Sequence, residues 1–347
     1  MAEEPETPHR RRPRYKGTHP RAFAEKYKEL NPELYPEDVE KVLARGATPA
    51  GGHRSICLDE VLEVLAPMPG ETAIDATLGH GGHGLAILKA IQPGGRLFGL
   101  DRDPRELALT VERLRAAGFG EEAFSPRLMN FSGIGGLPQA EGLDGVDLVL
   151  ADLGVSSMQI DDPERGFTFK REGPLDMRMD QNRGESAAEL LAALPEARLR
   201  AIIEEYSDEA EAPAIARVLT QRRGRILTTR DLVEAVRAAL ESRLNPEEET
   251  RKIIRRVFQA LRIEVNGELA ALDAFLAVLP SVLKPGGRAA VLCFHSGEEG
   301  RVERSFREGL GQGLYSRVAE AAIRPSAEER RRNPRSSSAR LRWAVRA

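Results

Sequence analysis

Apolar and polar positions follow two rhythms along this chain, and the switch between them divides it. From about residue 57 to residue 152, short apolar runs of strand length alternate with stretches of helical period. This predicts a helix near Cys57–Leu65, a strand over 72–76, a helix from about Gly82 to Ile91 and a strand over 96–101. The next helix opens after Asp103-Pro104, because proline's missing N–H costs nothing in a first helical turn. A weaker strand is read near Arg127–Met129. V-D-L-V-L-A-D at 146–152 is the nearly continuous apolar run of a central parallel strand.

Between Pro163 and Asn266 no strand is legible, and helical signals take over. Ser186-x-x-Glu189 and Thr228-x-x-Asp231 read as capping boxes that open apolar-periodic runs. In Lys252–Val265, Ile253, Ile254, Val257, Leu261 and Val265 share one face, which places Arg255, Arg256 and Arg262 more outward. The first rhythm then returns. A helix carries Leu269, Leu272, Leu276 and Leu279, Lys284-Pro285-Gly286-Gly287 stops it, and strands follow at R-A-A-V-L-C-F and 341–346.

The predicted fold is therefore α/β, a Rossmann-like parallel sheet with a helical domain inserted after strand four. Residues 53–162 and 267–347 would form the sheet domain, and 163–266 the insert. Residues 1–52 read as a basic extension, disordered to about residue 20, with short helices around Arg21–Leu30 and Pro36–Arg45.

Composition changes this picture only at the ends. The 347 residues are 41% hydrophobic, enough for a substantial core, and the net charge of −3 is nearly balanced. Yet Met1–Lys28 holds eight Lys/Arg against four Asp/Glu, and Arg324–Arg346 holds eight Arg against two Glu. Basic ends on a near-neutral body suit a polyanionic partner. The two distant cysteines, Cys57 and Cys293, offer neither a disulfide framework nor metal spacing, so a reducing, cytoplasmic setting is expected. No apolar stretch has the length of a membrane span or the form of a signal peptide, and no metal site or membrane partner is expected.

The candidate chemistry lies at strand ends. T-A-I-D-A-T-L-G-H-G-G-H-G runs from a strand ending at Asp75 through Gly79, Gly81, Gly82 and Gly84 into a helix. Glycines let a ligand approach the backbone, so the turn is a candidate nucleotide-pocket floor, and Asp101 ends the next strand where it could hold two ribose hydroxyls. Gly79-x-Gly81-x-x-Gly84 matches a dinucleotide fingerprint, which keeps a nicotinamide dehydrogenase among the alternatives. S-adenosylmethionine fits better, since an acid precedes the glycines and no second glycine turn or hydride-transfer histidine is found. Asp152 ends strand four, where it could accept an N–H from a target amine and act as catalytic base, or only contact the cofactor. His295 and Ser296 follow the next strand and are candidates for the base pocket.

Ordered blocks then point to a family. H-R-S-I-C-L-D-E at 53–60, D-A-T-L-G-H-G-G-H at 75–83, L-D-R-D at 100–103 and A-D-L-G-V-S-S-M-Q-I-D at 151–161 come first. R-G-F-T-F at 165–169, G-P-L-D-M-R-M-D at 173–180, F-Q-A-L-R-I-E-V-N at 258–266, F-H-S at 294–296 and N-P-R-S-S-S-A-R-L-R at 333–342 follow. Over about 53 to 346 the chain resembles the MraW-type methyltransferases, which modify N4 of a cytosine in the decoding centre of small-subunit ribosomal RNA. The resemblance implies a class I methyltransferase fold, S-adenosylmethionine as cofactor, and small-subunit RNA as partner, within an assembled or assembling subunit. It carries cofactor contacts onto Gly81, Gly82, His83, Asp101, Phe131, Asp152 and Gln159. A long N-terminal extension, G-E-E-G-R after F-H-S and K-I-I-R-R before F-Q-A depart from the family pattern, and are expected on RNA-facing surfaces. Action on another RNA nucleotide, or a non-catalytic assembly role, remains the alternative.

Overall fold

The computed structural model describes residues 55–241 and 246–347. The N-terminal disorder and the helices expected around Arg21–Leu30 and Pro36–Arg45 lie outside the described residues. The described chain opens with α1 (Leu58–Leu65), β1 (Thr72–Asp75), α2 (Gly82–Ile91), β2 (Arg96–Asp101), α3 (Pro104–Ala116) and β3 (Phe124–Leu128). A 3-10 turn (Phe131–Gly136) and short α4 (Leu137–Ala140) lead into β4 (Val146–Asp152). After α5 (Ser157–Asp161) come five consecutive helices: α6 (Ala187–Ala193), α7 (Glu196–Ser207), α8 (Ala212–Gln221), α9 (Thr229–Leu240) and α10 (Glu247–Asn266). Then α11 (Glu268–Val282), β5 (Leu283–Cys293), α12 (Ser296–Gly311), β6 (Tyr315–Val318), α13 (Ala327–Arg332) and β7 (Arg340–Arg346) complete the chain.

One sheet runs β3-β2-β1-β4-β5-β7-β6. β1 to β5 are parallel, and β7 is antiparallel to both its neighbours. Successive side chains in a strand point to opposite faces, and this alternation sorts the core into two layers. Ile74, Phe98, Leu100, Val149 and Val291 pack with Leu272, Phe275 and Leu279 of α11. Ala73, Leu97, Leu148, Leu150 and Leu292 pack on the other face with Val61, Ile87, Leu88 and Leu107. Buried on both faces, β4 has to read as a continuous apolar run.

The five helices α6–α10 share a third apolar cluster of their own, from Phe167 to Leu261. Both expected capping boxes are formed there. Ser186 and Thr228 each accept the N–H three residues on, while Glu189 and Asp231 accept the cap N–H in return. Buried polar struts tie this lobe to the sheet. Arg165, only 2% exposed, reaches Asp103 Oδ2 at 2.7 Å and donates to the Met179 carbonyl. Asn266 ends α10, accepts from the Arg102 guanidinium beyond β2 through its backbone carbonyl at 2.7 Å, and braces the lobe from within by donating to the Met177 carbonyl and accepting the Met179 N–H.

Four expectations need correcting. β3 lies at 124–128 rather than 127–129: it is the sheet edge, pairs with β2 alone, and tolerates Pro126 there. The helix stops at Val282 just before Lys284–Gly287, but the next strand starts at Leu283 rather than Arg288, with a register shift opposite β4. β6 is unforeseen, being four residues with two exposed polar positions. Of the three arginines read as outward on α10, only Arg255 is exposed; Arg256 pairs with buried Glu209, and Arg262 forms a two-pronged pair with Glu268.

The surface placement of the departing blocks is also only partly right. Ile253 and Ile254 are core residues of the helical lobe. Glu298 of G-E-E-G-R is 3% exposed, with its carboxylate accepting the Phe294 N–H. At the other end, Glu329 accepts the Cys57 N–H and ties α13 to the start of the core. Both cysteines are free and buried, and no single helix among the described residues is long and apolar enough to cross a membrane.

Candidate active site

Parallel strands deliver their last residues to one edge, so Asp75, Asp101 and Asp152 arrive together at the carboxyl ends of β1, β2 and β4. A cleft of about 900 Å³ opens there, between the strand ends, the helical lobe and the 333–338 segment. Its sheet wall includes Gly79, Gly82, His83, Asp101, Phe131 and Asp152, and its far wall Phe169, Met179, Arg255 and Phe258.

Asp101 is shaped by two backbone donors. Its Oδ2 accepts the Gly79 N–H and its Oδ1 the Asp103 N–H, both at 2.8 Å. A carboxylate offers about four lone-pair directions, so two remain for a ligand. Burial is the main cause that pushes the Asp101 carboxyl up to about 6, against those two N–H groups. Asp75 is pushed further, to about 7, again chiefly by burial. It is 1% exposed and does not line the cleft, so it belongs to the floor beneath the turn.

The glycine turn divides its labour. Gly82 and His83 line the cleft, whereas Gly81 does not. Gly81 caps α2 with φ +71°, and an added Cβ would stand 2.6 Å from Thr110 Cγ2, so glycine is required there by the fold alone. His83 Nε2 lies 3.0 Å from the Ile56 carbonyl oxygen, and its Nδ1 lies 3.4 Å from Asp152 Oδ2. Burial opposes the charged imidazolium, but Asp152 and Asp75 outweigh it and hold the His83 pKa above the ordinary value.

Phe131 opens the 3-10 turn after β3 and stacks edge-on against Phe275, with ring centroids 5.5 Å apart. Gln159 lines the cleft, yet its amide is committed: Nε2 donates to Asp103 and Oε1 accepts the Ser156 N–H. Asp152 keeps spare acceptor capacity. Its N–H donates to Thr77 Oγ1, while among the described residues its carboxylate, 29% exposed at the side chain, meets His83 through Oδ2 and leaves the buried Oδ1 without a hydrogen-bond partner. His295, the N-cap of α12, lines the cleft, whereas Ser296 does not. The two nitrogens of His295 are turned to Glu298, one receiving its N–H and the other 3.2 Å from its carboxylate.

The donor set suits S-adenosylmethionine. Spare Asp101 lone pairs match ribose hydroxyls, Phe131 offers a ring edge, and the two acids lining the cleft at strand ends, Asp101 and Asp152, favour a sulfonium cation over a pyrophosphate. The residues that sequence reasoning missed are those that hold the cleft in shape. Asp103, Arg165 and Asn266 form buried bonds, joined there by Gln159, which the family resemblance had already named, and the spacing of those three along the chain carries no local period that could reveal them.

The model of the MraW methylase family matches residues 50–347. The chain belongs to this family. Its sheet order and reversed last strand give it the class I methyltransferase fold, and S-adenosylmethionine is the cofactor of this methylase. Among its relatives, ribosomal RNA small subunit methyltransferase H 1 of Lachnoclostridium phytofermentans is 47% identical, covering 99% of this chain and 95% of its own. Ribosomal RNA small subunit methyltransferase H 2 of Alkaliphilus metalliredigens is also 47% identical, covering 97% of each chain. These alignments take in most of the N-terminal extension, which is therefore shared by part of the family rather than peculiar to this methylase. Other relatives, such as that of Rubrobacter xylanophilus at 42% identity, cover only 86% of it.

Proposed function

We propose that this methylase transfers a methyl group from S-adenosylmethionine to N4 of a cytosine in the decoding centre of small-subunit ribosomal RNA, on an assembled or assembling subunit. The observation that carries the reading is Asp152, a carboxylate with unspent acceptor capacity at the end of β4, facing a cleft built jointly by the sheet and the helical lobe. The relatives' names supply the ribosomal substrate.

The cofactor, when bound, supplies an electrophilic methyl group. Asp101 accepts from the ribose hydroxyls, Phe131 covers the adenine edge, and Gly82 lets the ligand lie against the backbone. The amine of cytosine is a weak nucleophile, because its lone pair is delocalised into the ring. Asp152 accepts one amine N–H, which draws the nitrogen toward tetrahedral geometry and concentrates the lone pair, and then holds the departing proton. Help of this kind is worth roughly 10²–10⁴ in rate. The 152–160 and 294–296 segments frame the extruded base, whose unstacking costs a few kcal/mol and less in irregular RNA. Residues 163–266 act as the recognition lobe, presenting Arg255 and Lys170 to phosphates at the cleft rim. The setting is the cytoplasm.

A paired measurement tests this. Asp152→Ala should lose roughly 10²–10⁴ in the rate of methyl transfer to small subunits while calorimetry still shows cofactor binding. Undiminished transfer would remove Asp152 from the chemistry.

A further inference from the structure

Cofactor contact gives the His83 side chain no part in the chemistry, and its geometry argues against that contact. Nε2 lies 3.0 Å from the Ile56 carbonyl oxygen, which can only accept, so Nε2 carries a proton. Nδ1 faces Asp152 Oδ2 at 3.4 Å. A neutral ring would turn a bare, buried nitrogen toward a carboxylate oxygen, two acceptors in near contact. A ring protonated at both nitrogens removes that conflict. Both nitrogens are then committed to protein, and any contact with the cofactor has to come from the His83 backbone.

The groups around the ring favour this state. Asp152 approaches it from β4 and Asp75 from β1, while the described residues before α1 present the Ile56 carbonyl. The His83 residue is 5% exposed, so the imidazole end of the pair is shielded from solvent.

We propose that His83 is a positioning residue, whose Nδ1–H holds one oxygen of Asp152 so that the remaining lone pairs of that carboxylate meet the target amine. The inference rests on the reading of Asp152 given under Proposed function. A carboxylate at a strand end is otherwise free to rotate about χ2, a broad torsion. Its backbone is fixed by the bond from Asp152 N–H to Thr77 Oγ1, and the imidazolium fixes the other end.

Two substitutions separate the two ring nitrogens, since an asparagine amide nitrogen stands near the place of Nδ1 and a glutamine amide nitrogen near that of Nε2. His83→Gln keeps the bond to Ile56 and loses the one to Asp152. It should lower kcat by about 10- to 100-fold, the loss of one charge-assisted hydrogen bond, with KM for RNA and affinity for S-adenosylmethionine little changed. His83→Asn restores a donor toward Asp152 and should recover most of that loss. Nitrogen-15 NMR of the cofactor-free full chain supplies a second readout, with both His83 nitrogens protonated near neutral pH and Nδ1 deprotonated in Asp152→Asn.

A bare Nδ1 in the native protein would overturn the proposal, as would glutamine turning over like histidine, or glutamine losing cofactor affinity in step with kcat. Absence of RNA methylation by the native protein would count against the proposed function instead, and the NMR result would still decide the His83–Asp152 contact.

Discussion

Asp101 and Asp75 sit one strand apart with carboxyls pushed up to about 6 and about 7, and the two shifts have different consequences. Asp101 lines the cleft, so its shift governs binding. Ribose hydroxyls need the ionised acceptor, and cofactor affinity should fall as pH drops through about 6, with proton release on binding in that range. Asp101→Ala should weaken binding roughly 100-fold by calorimetry, from the loss of charge-assisted bonds of about 1.5–3 kcal/mol each. Unchanged affinity would remove it from the ribose site. Asp75 lies under the turn, so its shift governs stability. With the native pKa above the unfolded one, the native state binds the extra proton between about pH 4 and 7. Stability should therefore fall as pH rises through that window. Asp75→Asn should flatten the decline and melt higher than the native protein at pH 8; a parallel pH profile would contradict the assignment.

These acids were legible because each ends an apolar run of strand length, which is a local pattern. Arg262 was not, since its partner Glu268 lies beyond a helix break at Gly267, and a helical wheel drawn through α10 alone places it outward.

Elements were readable in proportion to how much of their periodicity they bury. The central strand β4 and the capped helices α6 and α9 stand where the pattern put them. β3 and β6 sit at the two edges of the sheet, pair on one side only, and therefore carry polar residues and proline that blur their signal. The joint between sheet and lobe is the least legible element-level feature, because it is made of single buried side chains. Its weight can be tested. Arg165 and Asp103 are 3% and 1% exposed at the side chain, and removing one partner of such a pair typically costs about 3–5 kcal/mol. Arg165→Ala should destabilise by that order in chemical unfolding and speed hydrogen exchange at Met177–Met179. A loss under about 1 kcal/mol would mean that the lobe is held by apolar packing alone.

For the molecule as a whole, the cleft belongs to neither the sheet nor the lobe, so no segment of sequence could reveal its breadth. Its rim carries Lys170 and Arg255, which are exposed and form no ion pair among the described residues. Reversing both charges should weaken RNA binding and reduce the slope of log affinity against log salt by roughly one for each phosphate no longer neutralised. An unchanged slope would move the RNA path elsewhere, toward the arginines of α13 and the basic N-terminal extension.

The modified nucleoside itself decides whether Asp152 and the cleft do the chemistry assigned to them. The full-length methylase would be given labelled S-adenosylmethionine and small subunits from a strain lacking its gene, and the labelled RNA digested for mass spectrometry. The expected product is N4-methylcytidine at a single decoding-centre position, formed roughly 10²–10⁴-fold more slowly by Asp152→Ala. Label on a different nucleotide, or no label from a protein that binds the cofactor normally, would contradict that assignment.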